Sequence, residues 1–220
     1  MHPLTHREYD AFTHIYFWLF LRRVFAELNP GVPYLDNWHI HMIIEALEEL
    51  RIGDERRLAV AMPPRSLKSI ILSVALPAWI LGHDPTARLI CASYGQELAD
   101  KMAYDCRQVM QSDWYRRLFS GTELASKRQA LHNFETTAGG GRFSTSVDGV
   151  ITGFGADYII LDDPMKPSEA LSDAERMRTN NWVQHTLFTR LNDKRNGRII
   201  IVMQRLHEDD VIGNILDRLS

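Results

Sequence analysis

Four short runs of apolar residues divide the chain, and they limit the folds it can adopt more than any other feature. The stretches between them carry apolar residues at the spacing of amphipathic helices. Near-continuous apolar strands are buried on both faces, which is typical of parallel sheets covered by helices. The sequence therefore predicts an α/β fold, in which a mostly parallel sheet is flanked by helices on both faces. The four runs are Leu58–Met62, Arg88–Ser93, Asp157–Leu161 and Arg198–Met203.

Length and composition fit one large globular domain. Of the 220 residues, 45% are apolar and 24% are charged, which provides for a core of ample size. The formal net charge is −3, so contact with nucleic acid would need a local basic patch or several subunits together. The apolar stretch Ile15–Leu21 is too short to span a bilayer and does not resemble an export signal. Cys91 and Cys106 are expected to be buried, reduced thiols.

The segments between the strands predict several helices and one hairpin. Residues 131–147, around the glycines at 139–141, indicate an irregular β-hairpin, with a mobile loop as an equal alternative. The helix that begins with the capping box at 172–175 is expected to bury Met177, Val183, Leu187 and Leu191. The predicted helices are Tyr9–Leu28, Trp38–Arg51, Gln96–Gln111, a turn at Trp114–Phe119, one from Ser172 to about Leu191, and one from Val211.

The first chemical signal is the segment AMPPRSLKSI, residues 61–70, which leads from a strand through a tight loop into a helical pattern. In a phosphate-binding loop, backbone N–H groups bind the phosphates, the lysine reaches the β- and γ-phosphates, and the serine hydroxyl binds Mg²⁺. The usual motif is G-x-x-x-x-G-K-[ST], whereas Met62 and Leu67 stand at its glycine positions here. A proline-rich turn with a surface lysine is the alternative. The predicted nucleotide-binding residues are Pro63, Pro64, Arg65, Ser66, Leu67, Lys68 and Ser69.

The second chemical signal is the acidic pair Asp162-Asp163, which directly follows an apolar run. This is the layout of a Walker B motif, in which one carboxylate holds Mg²⁺ and the next acts on the attacking water. We assign Asp162, together with Ser69, to the metal and Asp163 to the general base. An acidic strand-to-turn cap would give the same pattern, but its combination with Lys68 and Ser69 favours the catalytic interpretation.

Polar groups follow all four predicted strands, and the carboxyl ends of parallel strands meet at one edge of a sheet. This convergence is stronger evidence than any single motif. The polar groups are residues 63–69, Ser93-Tyr94, Asp162-Asp163 and Gln204-Arg205.

Trp38, ahead of the first strand, is a candidate for contact with adenine, and a place in the core is an equal alternative.

From about Pro33 to Gly213, the chain resembles the ATPase (motor) domain of the large subunit of tailed-bacteriophage terminases. The most specific segments occur in the same order: MPPRSLKSI, CASYGQELADK, TGFGADYIILDDPMK and IIIVMQRLHEDDVIG. The resemblance implies a P-loop NTPase fold of the ASCE type with ATP and Mg²⁺ as cofactors. It also implies that ATP hydrolysis drives double-stranded DNA into a procapsid. A helicase-like ATPase and a nucleotide-binding assembly module without turnover are the alternatives.

The resemblance also implies partners and a domain organisation. The motor would act on double-stranded DNA in the host cytoplasm with the portal protein and the small terminase subunit, and without a membrane. It would form a homo-oligomeric ring when assembled and a monomer in isolation. Residues 1–37 would form a helical segment and linker packed on the motor, and residues 38–220 the ATPase domain. The C-terminal nuclease domain of such proteins, and its activity, are not expected in this chain.

Several roles come from the resemblance alone. Arg65 would lie near the phosphates, and Gln204 with Arg205 would couple hydrolysis to movement. Related terminases often place an arginine in the T-G-x-G-A-D segment, where this chain has Phe154. Arg65 within the subunit, or Arg142 reaching a neighbour from a mobile glycine-rich hairpin, would replace that charge. The predicted catalytic residues are Asp163, Lys68, Arg65, Arg142 and Gln204.

Overall fold

The computed structural model describes residues 5–130, 133–151 and 153–218, without the side chains of residues 6 and 127–129. Its strands are β1 Arg57–Ala61, β2 Arg88–Ser93, β3 Leu124–Ala130, β4 Asn133–Thr136, β5 Gly141–Ser146, β6 Tyr158–Asp162 and β7 Arg198–Met203. Within the described residues they form one sheet in the order β1-β7-β6-β2-β5-β4-β3. The first five strands of that order run parallel, and β4 and β3 join the β5 edge as antiparallel strands.

The fold class predicted from the sequence is confirmed. The four apolar runs are β1, β2, β6 and β7, four of the five parallel strands. β7 lies between β1 and β6, so the last strand in the chain separates the strands that precede the phosphate loop and the acidic pair. The register places Asp162 of β6 beside Ser93 of β2 and Val202 of β7.

Helices cover both faces of this sheet. The α-helices are α1 His6–Ile15, α2 Phe17–Leu28, α3 Trp38–Ile52, α4 Leu76–His83, α5 Gln96–Gln111, α6 Asp113–Leu118, α7 Asp173–Trp182 and α8 Val211–Asp217. Ile70–Ala75 and Val183–Leu187 are π-helical, and Phe188–Arg190 is a 3₁₀ turn. Helices α2 to α6 and the first π-helical segment pack on one face, and α7, the second π-helical segment and α8 pack on the other.

An aromatic cluster joins the N-terminal part of the chain to the first of these faces. Phe20 of α2 is fully buried and makes edge contacts with Trp79, Trp114 and Phe119. Full burial of a side chain of this size contributes roughly 1.5–3 kcal/mol. Helix α2 is therefore part of the same core as the sheet.

The predicted helix over residues 9–28 is divided in two. Tyr16 has an extended backbone, with φ −107° and ψ 114°, and separates α1 from α2. One turn earlier, the hydroxyl of Thr13 donates to the carbonyl of Tyr9. Such side-chain bonds to the backbone compete with helical hydrogen bonding and bend or weaken a helix.

The helix predicted to run to Leu191 also changes character, because it becomes π-helical at Val183 and then 3₁₀. Val183, Leu187 and Leu191 are buried as predicted, but the prediction that Met177 faces the core is wrong, since it is 63% exposed. Polar side chains take the inward face of α7 instead. Asn180 is buried there and donates to the carbonyl of Asp209, at the start of α8.

The predicted hairpin is confirmed in β4 and β5, which pair as antiparallel strands across a glycine turn. A Cβ on Gly140 would lie 2.4 Å from the carbonyl oxygen of Pro85, so this turn has room only for glycine. The prediction also covered Leu131 and His132, which lie outside the described residues. Among the helices described, none combines the length and the apolar character that crossing a membrane requires.

Candidate nucleotide-binding site

Four strand ends meet at the carboxyl edge of the parallel sheet, and hydrogen bonds join them. After β1, the N–H of Met62 donates to the carbonyl of Met203 at the end of β7 (3.0 Å). After β2, the N–H of Tyr94 donates to the carbonyl of Asp163 (3.0 Å). After β7, the N–H of Gln204 donates to the carboxylate Oδ1 of Asp163 (3.1 Å). The polar groups that follow these strands therefore lie at one edge of the sheet.

The loop after β1 has the backbone of an anion site. Arg65 and Leu67 both adopt the left-handed conformation, with φ of 62° at each residue. Alternating backbone conformations of this kind turn successive N–H groups into one concavity, which binds anions. Pro63 and Pro64 have no N–H, so the donors begin at Arg65. The hydroxyl of Ser66 donates to the carbonyl of Pro63 (2.8 Å) and closes the turn.

Leu67 stands where phosphate-binding loops usually have their second glycine. A residue with a side chain pays roughly 1–2 kcal/mol for a left-handed backbone, which is why glycine is usual there. The Leu67 side chain packs against the core, and this burial offsets part of the cost. The departure from the glycine motif is therefore a change of side chain on a loop that keeps the left-handed backbone.

Lys68 and Ser69 form the first helical residues after the loop. Lys68 is only 6% exposed, and its Nζ lies 3.0 Å from Oδ2 of Asp163. A buried ammonium group needs such a partner, because its removal from water costs several kcal/mol. This burial excludes the alternative that Lys68 is a surface lysine.

Asp163 is held by bonds to the ends of β2 and β7 and to the phosphate loop. Its φ of 43° is strained for a residue with a side chain, and such strain persists only where the surroundings fix it. Its N–H donates to the carbonyl of Val202 (2.8 Å), and its carbonyl accepts from Tyr94. Its carboxylate accepts from the Gln204 N–H and pairs with Lys68. With 28% of its side chain exposed, the carboxylate can still be reached by solvent.

Asp162 ends β6 and is almost fully buried beside the first π-helical segment. Its Oδ2 accepts a hydrogen bond from the hydroxyl of Ser73 (2.8 Å), and its Oδ1 has no hydrogen-bond partner among the described residues. Burial raises the pKa of the Asp162 carboxyl to about 6, although the nearby hydroxyl groups of Ser69 and Ser73 act in the opposite direction. Asp162 therefore carries one buried carboxylate oxygen that is available to a further ligand.

The donor atoms at this point suit Mg²⁺. Across the described residues, no group of three or more acidic, histidine or cysteine side chains could hold a metal ion by itself. Mg²⁺ is usually bound by only one or two protein oxygens, together with water and substrate phosphates. The hydroxyl of Ser69 and the unpartnered Oδ1 of Asp162 provide two such oxygens. The site thus fits an ion that arrives with a nucleotide.

The loop after β7 is organised by Asp210, a residue that sequence analysis did not single out. Asp210 is fully buried, and its carboxylate accepts from Nε of Arg205 (2.9 Å) and from the N–H groups of Leu206 and Gly213 (3.0 Å each). Arg205 is therefore engaged within its own loop. Asp210 directly precedes the apolar helical run from Val211, and aspartate is a favoured N-cap residue. The sequence therefore did carry this signal.

Comparison with known proteins adds the fold family. No protein-family model and no curated protein matches the chain. Its structure matches the crystal structure of the HK97 bacteriophage large terminase with a TM-score of 0.57 over 90% of this chain, at 14% sequence identity. The chain shares the fold of one part of a phage large terminase. It spans 40% of the HK97 protein, and at this identity the likeness extends to the fold. The terminase resemblance predicted from the sequence is thus confirmed for the fold.

A second solved structure is that of a point mutant of the Thermus phage P74-26 large terminase ATPase domain. It matches with a TM-score of 0.47 and 20% identity, over 81% of this chain and 68% of that one.

Within this terminase fold, the two predicted arginines lie in different surroundings. Arg65 is exposed at the phosphate loop. Arg142 lies on β5 and is 1% exposed, and its guanidinium donates to the carbonyl of Ser73 and the hydroxyl of Ser144. The prediction that Arg142 projects from a mobile loop toward a neighbour is therefore wrong. It fails because β5 is an interior strand, paired with β2 and β4.

Two aromatic residues singled out in the sequence lie in different surroundings. Phe154, at the position where related terminases often have arginine, stacks on Phe143 with ring centroids 4.0 Å apart. Trp38 begins α3 and is 71% exposed, which excludes the alternative that it lies in the core. The guanidinium of Arg198, at the start of β7, donates to the carbonyl of Leu50 near the end of α3. This contact places the C-terminal end of α3 beside the start of β7.

Proposed function

We propose that the chain binds ATP with Mg²⁺ and hydrolyses it, as the ATPase region of a motor that packages double-stranded DNA into a viral procapsid. The observation that carries this proposal is the contact between Lys68, on the loop after β1, and Asp163, after β6, at 3.0 Å. It joins the phosphate-binding and acidic segments at the sheet edge where such folds place their ligands.

The phosphate loop provides the binding energy for the triphosphate. N–H groups from Arg65 onward converge in the concavity formed by the left-handed residues, and Lys68 adds a positive charge. Phosphate oxygens would compete with Asp163 for the Lys68 ammonium. The exposed indole of Trp38 is the candidate to stack on the adenine ring.

Ser69 and Asp162 would hold Mg²⁺, which would neutralise part of the charge of the triphosphate. Asp162 contributes a carboxylate that one hydroxyl already orients. The buried setting keeps water away from this contact, and electrostatic interactions are stronger there than in solvent.

Asp163 would orient the attacking water and accept its proton. Its strained backbone and its bonds to β2 and β7 hold the carboxylate in one place, which is what a general base requires. Once phosphate draws Lys68 away, the carboxylate becomes available to water. Proton transfer of this kind typically contributes about 10²–10⁴-fold to a rate.

Gln204 would pass the state of the site to the rest of the motor. Its N–H contacts the Asp163 carboxylate directly, and the loop that follows is fixed through Asp210 to α8. A shift of Asp163 during turnover would therefore move the start of α8. DNA, the portal protein and the small terminase subunit are the partners that we propose for this movement.

Purified chain should release phosphate from ATP in the presence of Mg²⁺, and double-stranded DNA should stimulate the release. Lys68→Ala should abolish turnover, because it removes the ammonium at the junction of loop and helix. Nucleotide binding without phosphate release would favour an assembly module. Phosphate release by Lys68→Ala at the wild-type rate would show that residues 61–70 are not the phosphate site.

A further inference from the structure

Arg142 is a buried arginine whose contacts do not explain its charge. It is among the largest fully buried side chains, and no acidic side chain in the described part of the chain pairs with it. Its terminal nitrogens donate to the hydroxyl of Ser144 and, at 3.1 Å, to the carbonyl of Ser73. The guanidinium also contacts the buried thiol of Cys91 on β2, while its Nε has no partner among the residues described. A buried guanidinium costs several kcal/mol to desolvate, so an apolar side chain would fill this space at a lower cost in free energy.

The carbonyl of Ser73 lacks the donor that an α-helix would give it. In an α-helix the donor is the N–H four residues later, and that residue is Pro77, which has none. The chain instead forms the π-helical segment at 70–75, and Arg142 donates to the Ser73 carbonyl from the sheet. Single π-helical turns occur frequently at functional sites. The backbone of Ser73 is thus held in part from β5.

The side chain of Ser73 reaches the acidic pair. Ser73 is 3% exposed, and its hydroxyl donates to Oδ2 of Asp162 at 2.8 Å. This bond occupies one carboxylate oxygen and leaves Oδ1, which has no described partner, for a cation. Groups that hold a ligating carboxylate in this way control metal affinity, and their loss typically costs about 10–100-fold.

We propose that Arg142 is a positioning residue for Mg²⁺, acting through Ser73 on Asp162. The inference rests on the proposed function, since Asp162 is a ligand only if the chain binds Mg²⁺ with ATP. Arg142 fixes the Ser73 carbonyl, and the Ser73 hydroxyl then orients the Asp162 carboxylate. Lys68 and the N–H groups of the phosphate loop take no part in this chain of contacts, so phosphate binding should be independent of it.

Binding of a fluorescent ATP analogue, measured across a range of Mg²⁺ concentrations and in EDTA, separates the metal contact from the phosphate contacts. Ser73→Ala removes only the hydroxyl that reaches Asp162. It should raise the Mg²⁺ concentration at half-saturation by about tenfold and leave the affinity in EDTA unchanged. Thr122→Val is the matched control, because it removes another buried hydroxyl. This hydroxyl bonds to the carbonyl of Leu81 near the end of α4, which leads to the start of β2, whereas Asp162 lies at the end of β6.

Arg142→Met should raise the same half-saturation concentration, and the double variant with Ser73→Ala should be no worse than the more severe single variant. Two residues that act through one path are not additive. A purely structural Arg142 would lower the thermal midpoint, as we expect of Thr122→Val, without changing the Mg²⁺ dependence.

Unchanged Mg²⁺ dependence in Ser73→Ala, or additive effects in the double variant, would overturn the inference. If Arg142→Met does not fold, Arg142→Lys, which keeps the charge but not the guanidinium, replaces it in the single and double variants and is judged by the same two outcomes. Failure of the wild-type chain to bind the analogue at all would overturn the proposed function instead, so the two failures are distinguishable.

Discussion

At the scale of single residues, Asp163 is both the proposed general base and the counter-charge of Lys68. Asp163→Asn removes the negative charge that holds Lys68 and that repels a triphosphate. ATP should therefore bind at least as tightly as in the wild type, while hydrolysis falls by about 10²–10⁴-fold, the usual contribution of a general base. Equilibrium binding and single-turnover phosphate release measure the two effects separately. A matching loss of affinity would show that Asp163 is a binding residue.

Asp162 gives a second prediction, in which stability and function diverge. Burial raises its pKa to about 6, so the folded chain binds more protons than the unfolded chain between about pH 4 and pH 6. Folding stability therefore falls as the pH rises through this window. Asp162→Asn should be more stable than the wild type at pH 8 and equally stable below pH 4, and it should lose Mg²⁺-dependent nucleotide binding. Thermal melts at both pH values check the sign.

The residues that could be predicted are those whose signal is local. Lys68 with Ser69, and Asp162 with Asp163, follow apolar runs directly, and parallel strands bring such ends together whatever the rest of the chain does. The burial of Arg142 could not be predicted in the same way. It depends on the pairing of β5 with β2, which are far apart in the chain. The glycine-rich stretch before β5 does not predict that pairing.

At the scale of elements, strong apolar patterning was enough to predict α3, α5 and the four apolar strands. The breaks inside the predicted helices were not visible, because they do not interrupt the apolar periodicity. The division at Tyr16 carries neither proline nor glycine, and the change at Val183 lies inside an apolar helical pattern. The first π-helical segment is a partial exception, since Pro77 shows in the sequence that the carbonyl of Ser73 needs another donor.

The loop between β7 and α8 leads to a prediction at this scale. A Cβ on Gly213 would lie 1.6 Å from the carbonyl oxygen of Glu208, so Gly213→Ala must displace the loop that Asp210 organises. Overpacking of this kind costs roughly 1–3 kcal/mol, against a gain of about 1 kcal/mol in helix propensity. Thermal melts should show net destabilisation, and DNA stimulation of the ATPase should fall more than the basal rate.

Gly95→Ala is the matched control for that change. Gly95 precedes α5, and nothing lies within 4 Å of the position its Cβ would take. The melting temperature of Gly95→Ala and the stimulation of its ATPase by DNA should stay close to those of the wild type. Equal behaviour of the two variants would mean that the contact between Gly213 and Glu208 has no part in the loop's position.

At the scale of the whole molecule, the order β1-β7-β6-β2 explains why one chain can join binding, metal and coupling groups. Placing β7 between the strands that lead to Lys68 and Asp162 puts Gln204 between the two halves of the site. A chain that carried the same motifs on strands in sequential order would separate them. The sequence could predict the strands and their direction, whereas their order came only from the structure.

The position of Arg142 changes what is expected of an assembled motor. With Arg142 buried, Arg65 is the arginine of the predicted set that remains free to approach the phosphates, and it lies three residues before Lys68 in the same loop. We expect it to act within its own subunit. Activity per subunit should then be independent of protein concentration, and mixing Lys68→Ala with Arg65→Ala subunits should restore nothing, because each subunit has lost part of its own site. Recovery of phosphate release on mixing would show instead that Arg65 completes the site of a neighbour.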